Sequence, residues 1–264
     1  MSHLFLRRIA FTALLVFIFG AIFFAAQAYR ADQPGIGTAQ HETNEESVRR
    51  IVRELLREKP EIVGEALRAL MAREQLAETE KQQMNLKARA AEIFDDPGSP
   101  VSGNPEGNVT IAEFYDYNCP YCKKSHADLM AMISEDGNIR FVHKEYPILG
   151  PGSLFAAKAA LAARKQEKYE VFQSALMDYP GKLDDWSVMD VAADAGLNVS
   201  QLEKDMEDPL LDADLARIRA LAKSLGIDGT PAYIINDRLI PGAVPIKSIQ
   251  EIVAELRNGN DDKG

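Results

Sequence analysis

One junction constrains this fold more than any other stretch: a segment apolar on both sides, residues 108–117, runs straight into the only two cysteines, Cys119 and Cys122. Val109, Ile111, Glu113 and Tyr115 alternate with Thr110, Ala112, Phe114 and Asp116, a period of two with little polarity on either face. Such a strand belongs inside a sheet that is covered on both sides. Leu129, Met130 and Ile133 then mark a helix, and residues 139–146 read as a second strand. Strand, helix and strand in this order form a crossover and a parallel pair. The cysteines therefore sit where a central strand gives way to a helix.

That position bears on the three uses of a Cys-x-x-Cys pair: holding a metal, making a structural bond, or exchanging disulfides. A sulfur at a helix N-terminus lies near unpaired amide N–H groups and the positive end of the helix dipole, so Cys119 is expected to be an accessible thiolate of lowered pKa. Pro120, in the first turn, loses no needed N–H and fixes φ there. Cys122, three residues on, shares a helix face with Cys119 within bridging reach. Cys119 is the expected attacking thiol and Cys122 the resolving one. A structural zinc site takes four ligands, and besides the cysteines the chain offers His3, His41, His126 and His143. His126 is expected on an exposed helix face, and no metal or organic cofactor is assigned. Two thiolates also suit Cu(I), so a copper-binding or chaperone module using the same thiols is the alternative function.

Composition narrows the partners. The 264 residues are 46% hydrophobic and 27% charged, ordinary globular usage that calls for a packed core. The formal net charge is −10 and no basic tract could neutralise a run of phosphates, which argues against nucleic acid. Arg7 and Arg8 precede an uncharged apolar run from Ile9 to Ala26, and Ala26 and Ala28 stand at the spacing a signal peptidase reads. Residues 1–28 are expected to be an export signal; the run also approaches the roughly 17–25 residues that span a bilayer, so an inner-membrane anchor is the alternative. In both cases the remainder is expected to face an oxidising space.

Residues 29–44 read as a flexible linker. Over residues 45–96 the chain should be helical: Val48, Ile51, Val52, Leu55 and Leu56 recur at three and four, Pro60 breaks the first helix, and a second carries Ile62, Val63, Ala66, Leu67 and Leu70 before running on to Phe94. The stripe cannot be buried on itself. It is covered either by the main domain or by copies of itself, a homo-oligomer through residues 45–94. Asp95–Pro100 marks a boundary, and the main domain is expected over 97–258. Within it lies a helical insertion at about 151–226, then a hairpin of 232–236 and 238–242, then a helix from Ile246, with a disordered tail at 259–264. The fold class is α/β with an inserted α-helical subdomain, preceded by an N-terminal helical stalk.

Residues 107–258 resemble the DsbA-like branch of the thioredoxin superfamily. The resemblance rests on Ile111-Ala-Glu-Phe-Tyr-Asp-Tyr-Asn-Cys-Pro-Tyr-Cys122, the helical insertion, and Gly229-Thr-Pro-Ala232. It implies a thioredoxin fold in which Pro231 is cis and faces the cysteine pair, while Thr230 tunes Cys119. It also implies that Thr230, Pro231, Pro120 and Tyr121 meet substrate. Glu113, six residues before Cys119, stands where the family carries a buried acid that accepts the proton of the second cysteine; Asp116 competes for that role. Tyr121 replaces the histidine of the family's best-known strong oxidant, so oxidising strength does not carry over. Glu58-Lys-Pro-Glu-Ile-Val63 and the long polar helix after it resemble the ScsC-type periplasmic proteins. That type implies self-association through N-terminal helices, disulfide isomerase or reductase activity, and a link to copper tolerance. The expected function is a periplasmic thiol–disulfide oxidoreductase, an isomerase or reductase or else an oxidase. Its partners are exported cysteine-containing proteins and an inner-membrane redox partner.

Overall fold

The computed structural model describes residues 38–261, with side chains over 44–259. The expected export signal at 1–28 lies outside the described residues. Two compact units divide between Glu74 and Gln75. In the first, α1 (Thr38–Glu58) and the start of α2 (Glu61–Ala88) are separated at Lys59 and Pro60, where the proline was expected to break the helix. Helix is present from Thr38, inside the segment expected to be a linker; residues 29–37 of that segment lie outside the described residues. The apolar stripe of α1 is open: Val48, Ile51, Val52, Leu55 and Leu56 are between 40% and 59% exposed. Ile62, Val63, Leu67, Leu70 and Met71 on α2 are exposed as well.

The second unit begins well before the boundary expected at 96–97. Helix α2 stops at Ala88, Arg89 adopts φ −110° and ψ 15°, and α3 (Ala90–Phe94) follows as a separate turn instead of a continuation. The bend puts Leu86 and Ile93 into one apolar layer with Phe114, Ile218 and Leu221. Each such burial stabilises by roughly 1.5–3 kcal/mol, so residues 75–96 are part of the main unit. A buried cation fixes the same segment: Lys144 Nζ donates to the Glu92 carbonyl and to Ser99 Oγ at 2.9 Å each, with Asp96 at 3.7 Å.

Five strands form one sheet in the order β1-β3-β2-β4-β5. They are β1 (Val101–Gly103), β2 (Val109–Tyr115), β3 (Ile139–Glu145), β4 (Ala232–Ile235) and β5 (Arg238–Pro241). The expected parallel pair is β2 with β3, and β4 lies antiparallel on the other side of β2. The expected hairpin is β4–β5, with Asn236 at φ 54° in its turn. Strand β1, three residues long and antiparallel to β3, has no counterpart among the sequence expectations; three residues are too few for periodicity to register.

β2 is covered on both sides. Ala112 and Phe114 face a layer closed by α9 (Pro209–Ser224) through Ile218, Leu221 and Ala222. Val109 and Ile111 face α4 (Pro120–Asp136), through Leu129 and Ile133, and α10 (Ile246–Asp261), through Ile249 and Val253. Helix α10 runs to Asp261, into the stretch expected to be a disordered tail.

The insertion comprises α5 (Pro151–Ala162), a 3-10 turn, α6 (Tyr169–Asp178), α7 (Asp185–Asp194), α8 (Val199–Asp205) and α9. It ends at Gly226, whose φ of +72° suits glycine. A buried carboxyl keys it to the sheet: Glu145 Oε1 accepts from the hydroxyls of Tyr115, Tyr117 and Tyr169 at 2.9, 2.6 and 2.9 Å.

Candidate active site

The site is built by the end of β2. After Tyr115 the chain turns through Asp116, Tyr117 and Asn118 and enters α4 with Cys119 as its N-cap and Pro120 in the first turn. Asp116 shapes this turn with its whole carboxylate. Oδ1 accepts the Asn118 N–H at 2.7 Å, and Oδ2 accepts those of Ile148 and Leu149 at 2.8 and 2.9 Å. Both of its oxygens are thus committed to backbone amides.

Asn118 clamps the same turn to the insertion. Its amide donates to Ser153 Oγ at 3.2 Å and to the Leu183 carbonyl at 3.1 Å, while its Oδ1 accepts the Leu183 N–H at 2.6 Å. Asn118→Ala strands both backbone groups of Leu183, and urea unfolding is expected to register a loss of about 1–3 kcal/mol; an unchanged midpoint would remove the clamp.

Both cysteines are free thiols. Cys119 Sγ accepts the Cys122 N–H at 3.4 Å and lies 3.3 Å from the Thr230 carbonyl, across the cis Thr230–Pro231 peptide. The expected facing of the cysteine pair and residues 230–231 is therefore present. Cys119 is less open than expected, only 3% exposed, whereas Pro120 and Tyr121 beside it are exposed. Its thiol is pulled down to about 6, chiefly by the hydrogen bond from Cys122. Burial opposes this, and the Thr230 side chain with the N–H groups of Cys122 and Tyr121 assist. Cys122 goes the other way. Burial, its own donation to Cys119 and the charge of Glu113 push its thiol far up. The two sulfurs thus differ in kind: one thiol is pulled down and the other pushed up.

Glu113 is 3% exposed on the β2 face turned toward α4. Burial raises its carboxyl to about 8, against a hydrogen bond from Tyr233, and the charge of Cys119 raises it further. Tyr233 is its cross-strand partner on β4. It went unnoticed because Ala232-Tyr-Ile-Ile235 reads as plain apolar strand; the signal was its place two residues after Pro231. His126 corrects an expectation. It is 4% exposed, not on an open helix face, and its Nε2 lies 3.3 Å from Ser174 Oγ. Beside the cysteines, Tyr121, Lys124, Ser125, Tyr233, Val244 and Ile249 line a groove of about 350 Å³. Among the described residues no cluster of His, Cys, Asp and Glu is arranged to hold a metal.

A family model described as thioredoxin matches residues 95–255. Among solved structures, the chain is 48% identical to a thioredoxin-like oxidoreductase from Silicibacter pomeroyi, with a TM-score of 0.62 over 64% of this chain and 97% of that one. It is 32% identical to the thiol–disulfide exchange protein alpha-DsbA2 from Wolbachia pipientis, TM-score 0.64, over 68% of this chain and 98% of that one. A linker-deletion mutant of ScsC from Proteus mirabilis matches at 30% identity and TM-score 0.60, over 85% of this chain and 98% of that one. Among curated proteins, disulfide bond formation protein D of Bacillus subtilis is 23% identical over 61% of this chain and 78% of its own length. A Na(+)/H(+) antiporter NhaA of Salinispora arenicola is 26% identical over 60% of this chain, which spans 25% of that protein. A thioredoxin sheet carrying a helical insertion, with a Cys-Pro-Tyr-Cys pair capping the helix after its central strand, places the chain in the thioredoxin superfamily, among its DsbA-like thiol–disulfide oxidoreductases.

Proposed function

We propose that the protein exchanges disulfides with exported proteins in the periplasm, working as an isomerase or reductase in a self-associated form. Cys119 thiolate attacks a substrate disulfide and forms a mixed disulfide. Glu113 takes the proton of Cys122, whose thiolate then attacks Cys119 Sγ and releases the substrate thiolate. Pro120, Tyr121, Thr230 and Pro231 meet the substrate chain. An inner-membrane redox partner resets the pair. The observation that carries this reading is the asymmetry of the sulfurs: Cys119 at a helix N-cap with its thiol pulled down to about 6, and Cys122 behind it held protonated.

Self-association is supported by the open stripe of α1, since contiguous exposed apolar surface marks an association face. Periplasmic location is supported by the charge and apolar pattern of residues 1–28. One experiment tests the proposal. Refolding of a scrambled disulfide substrate is followed with the parent protein, with Cys119→Ala, and with Ile51→Lys combined with Leu55→Lys, with light scattering alongside. Cys119→Ala is expected to lose all activity. The lysine pair is expected to fall to the mass of one chain and to lose isomerisation while still oxidising dithiols. Refolding by Cys119→Ala would end the exchange reading, and a parent with the mass of one chain would end the assembly.

A further inference from the structure

A base buried behind two sulfurs must return its proton to water before it can act again, and Glu113 has almost no contact with solvent of its own. The groups that face it are Cys119 and Cys122 from α4, Tyr233 from β4, and His143, its register partner on β3. His143 is no exit. Burial pulls its imidazole down to about 3, and its ring nitrogens lie 2.8 Å from Ser102 Oγ and 3.4 Å from the Tyr115 hydroxyl. The cysteines are the source of the proton. Tyr233 is left. It is paired with Glu113 across β2 and β4, and its hydroxyl stands 3.3 Å from Ser125 Oγ. Both Tyr233 and Ser125 line the open groove beside the cysteines.

We propose that Tyr233 and Ser125 form a proton relay that connects Glu113 to the water of this groove. The inference rests on the reading of Glu113 as acceptor of the Cys122 proton. After Cys122 S–H has given its proton to the carboxylate, the Cys122 thiolate forms the S–S bond to Cys119 and the Cys119–substrate S–S bond breaks. The electron pair leaves with the substrate thiolate. The cysteine pair is then oxidised by two electrons and the substrate disulfide reduced by two. Glu113 now hands its proton to the Tyr233 oxygen as the Tyr233 O–H passes its own to Ser125 Oγ. Ser125, whose hydroxyl otherwise points at the Tyr121 and Cys122 carbonyls at 3.0 and 3.2 Å, releases one to groove water. The carboxylate is regenerated and one proton reaches solvent. Tyr233 need not ionise, because it gains a proton as it loses one; burial and the charge of Glu113 hold its hydroxyl neutral.

The test separates the two steps. Reduced full-length protein is mixed with oxidised glutathione and quenched in acid, and the mixed and internal disulfides are counted by mass from about pH 5 to about pH 9. Below about pH 8 Glu113 starts out protonated and must discharge through the relay before it can take the Cys122 proton, so there Tyr233→Phe and Ser125→Ala are each expected to slow the second step roughly tenfold relative to the first, and Ser125→Thr, which keeps a hydroxyl, to restore it. If both hydroxyl deletions resolve the mixed disulfide at the parent rate while Glu113→Gln is slow, the relay is wrong and the role of Glu113 survives. If Glu113→Gln is itself as fast as the parent, the reading beneath the relay is wrong and both go. A Ser125→Ala defect that Ser125→Thr leaves in place is a packing effect and overturns the relay. Should Tyr233→Phe fail to fold, the two Ser125 variants decide alone.

Discussion

Iodoacetamide will label Cys119 of the reduced protein at a rate that titrates with a midpoint of about pH 6, where a free cysteine titrates near pH 8.5. At pH 7 such a thiol is about 90% thiolate, against about 3% for the free residue, a gain of about thirtyfold in nucleophile. The weaker basicity returns much of that: with a Brønsted slope of about 0.4–0.5, a thiolate about 2.5 units less basic is roughly tenfold less reactive. The net advantage at pH 7 is only a few-fold, so a single rate at neutral pH is a poor test. Near pH 5.5 the thiolate ratio exceeds about two hundred, and Cys119 should outrun free cysteine by at least about tenfold. The largest cause of the shift is the hydrogen bond from the Cys122 thiol. Cys122→Ala should therefore carry the midpoint up toward the ordinary value, and Cys122→Ser, which keeps a donor, should move it less. Exchange with substrates should fall at least about a thousandfold in Cys119→Ser, because a serine hydroxyl is hardly ionised at neutral pH. A midpoint between 8 and 9 in the parent would remove the electrostatic argument on which the assignment of attacker and resolver stands.

The parts of this molecule that sequence conveyed are those where one signal dominates. Residues 109–115 were legible as a buried central strand because both alternating sets are apolar, and the cysteine pair at its end fixed the start of α4. The β4–β5 hairpin was legible from two short apolar runs around Asn236. The unit boundary was not. Residues 75–94 are mostly Glu, Lys, Gln and Ala, and nothing local shows that Leu86 and Ile93 alone are buried. His126 was misplaced for the converse reason. Four residues after Cys122 on the same helix face, it follows that cysteine inward beneath α6, where Ser174 receives it. Tyr233 escaped because a buried tyrosine in a strand is common, and only the register against β2 pairs it with Glu113. In each case the deciding contact joins residues distant in the chain.

Removing the charge of Glu113 should stabilise the protein while crippling it. In the folded chain the carboxyl holds its proton up to about pH 8, whereas the ordinary value is 4.5. Between those values the folded state binds more protons than the unfolded one, so stability falls as pH rises from 4.5 and levels off above about 8. At pH 7 the accumulated penalty is on the order of 3 kcal/mol. Glutamine has the same shape and no titration, so urea unfolding of reduced Glu113→Gln and of the parent should agree within about 1 kcal/mol near pH 4. By pH 8 the two should diverge by several kcal/mol in favour of the glutamine form. Cys119 contributes a slope of opposite sign, since its lowered thiol favours the folded state as pH rises past about 6, and it does so in both proteins. The difference between the two curves therefore isolates the carboxyl. Resolution of the mixed disulfide should meanwhile slow about a hundredfold, the usual worth of a positioned base. A buried carboxyl with no part in the exchange would show the stability trend without the loss of rate, and a stability difference independent of pH would place its proton elsewhere. Opposite signs for stability and turnover at one residue are what a group retained for chemistry requires, because the fold bears the cost of burying it only where the second sulfur needs a partner.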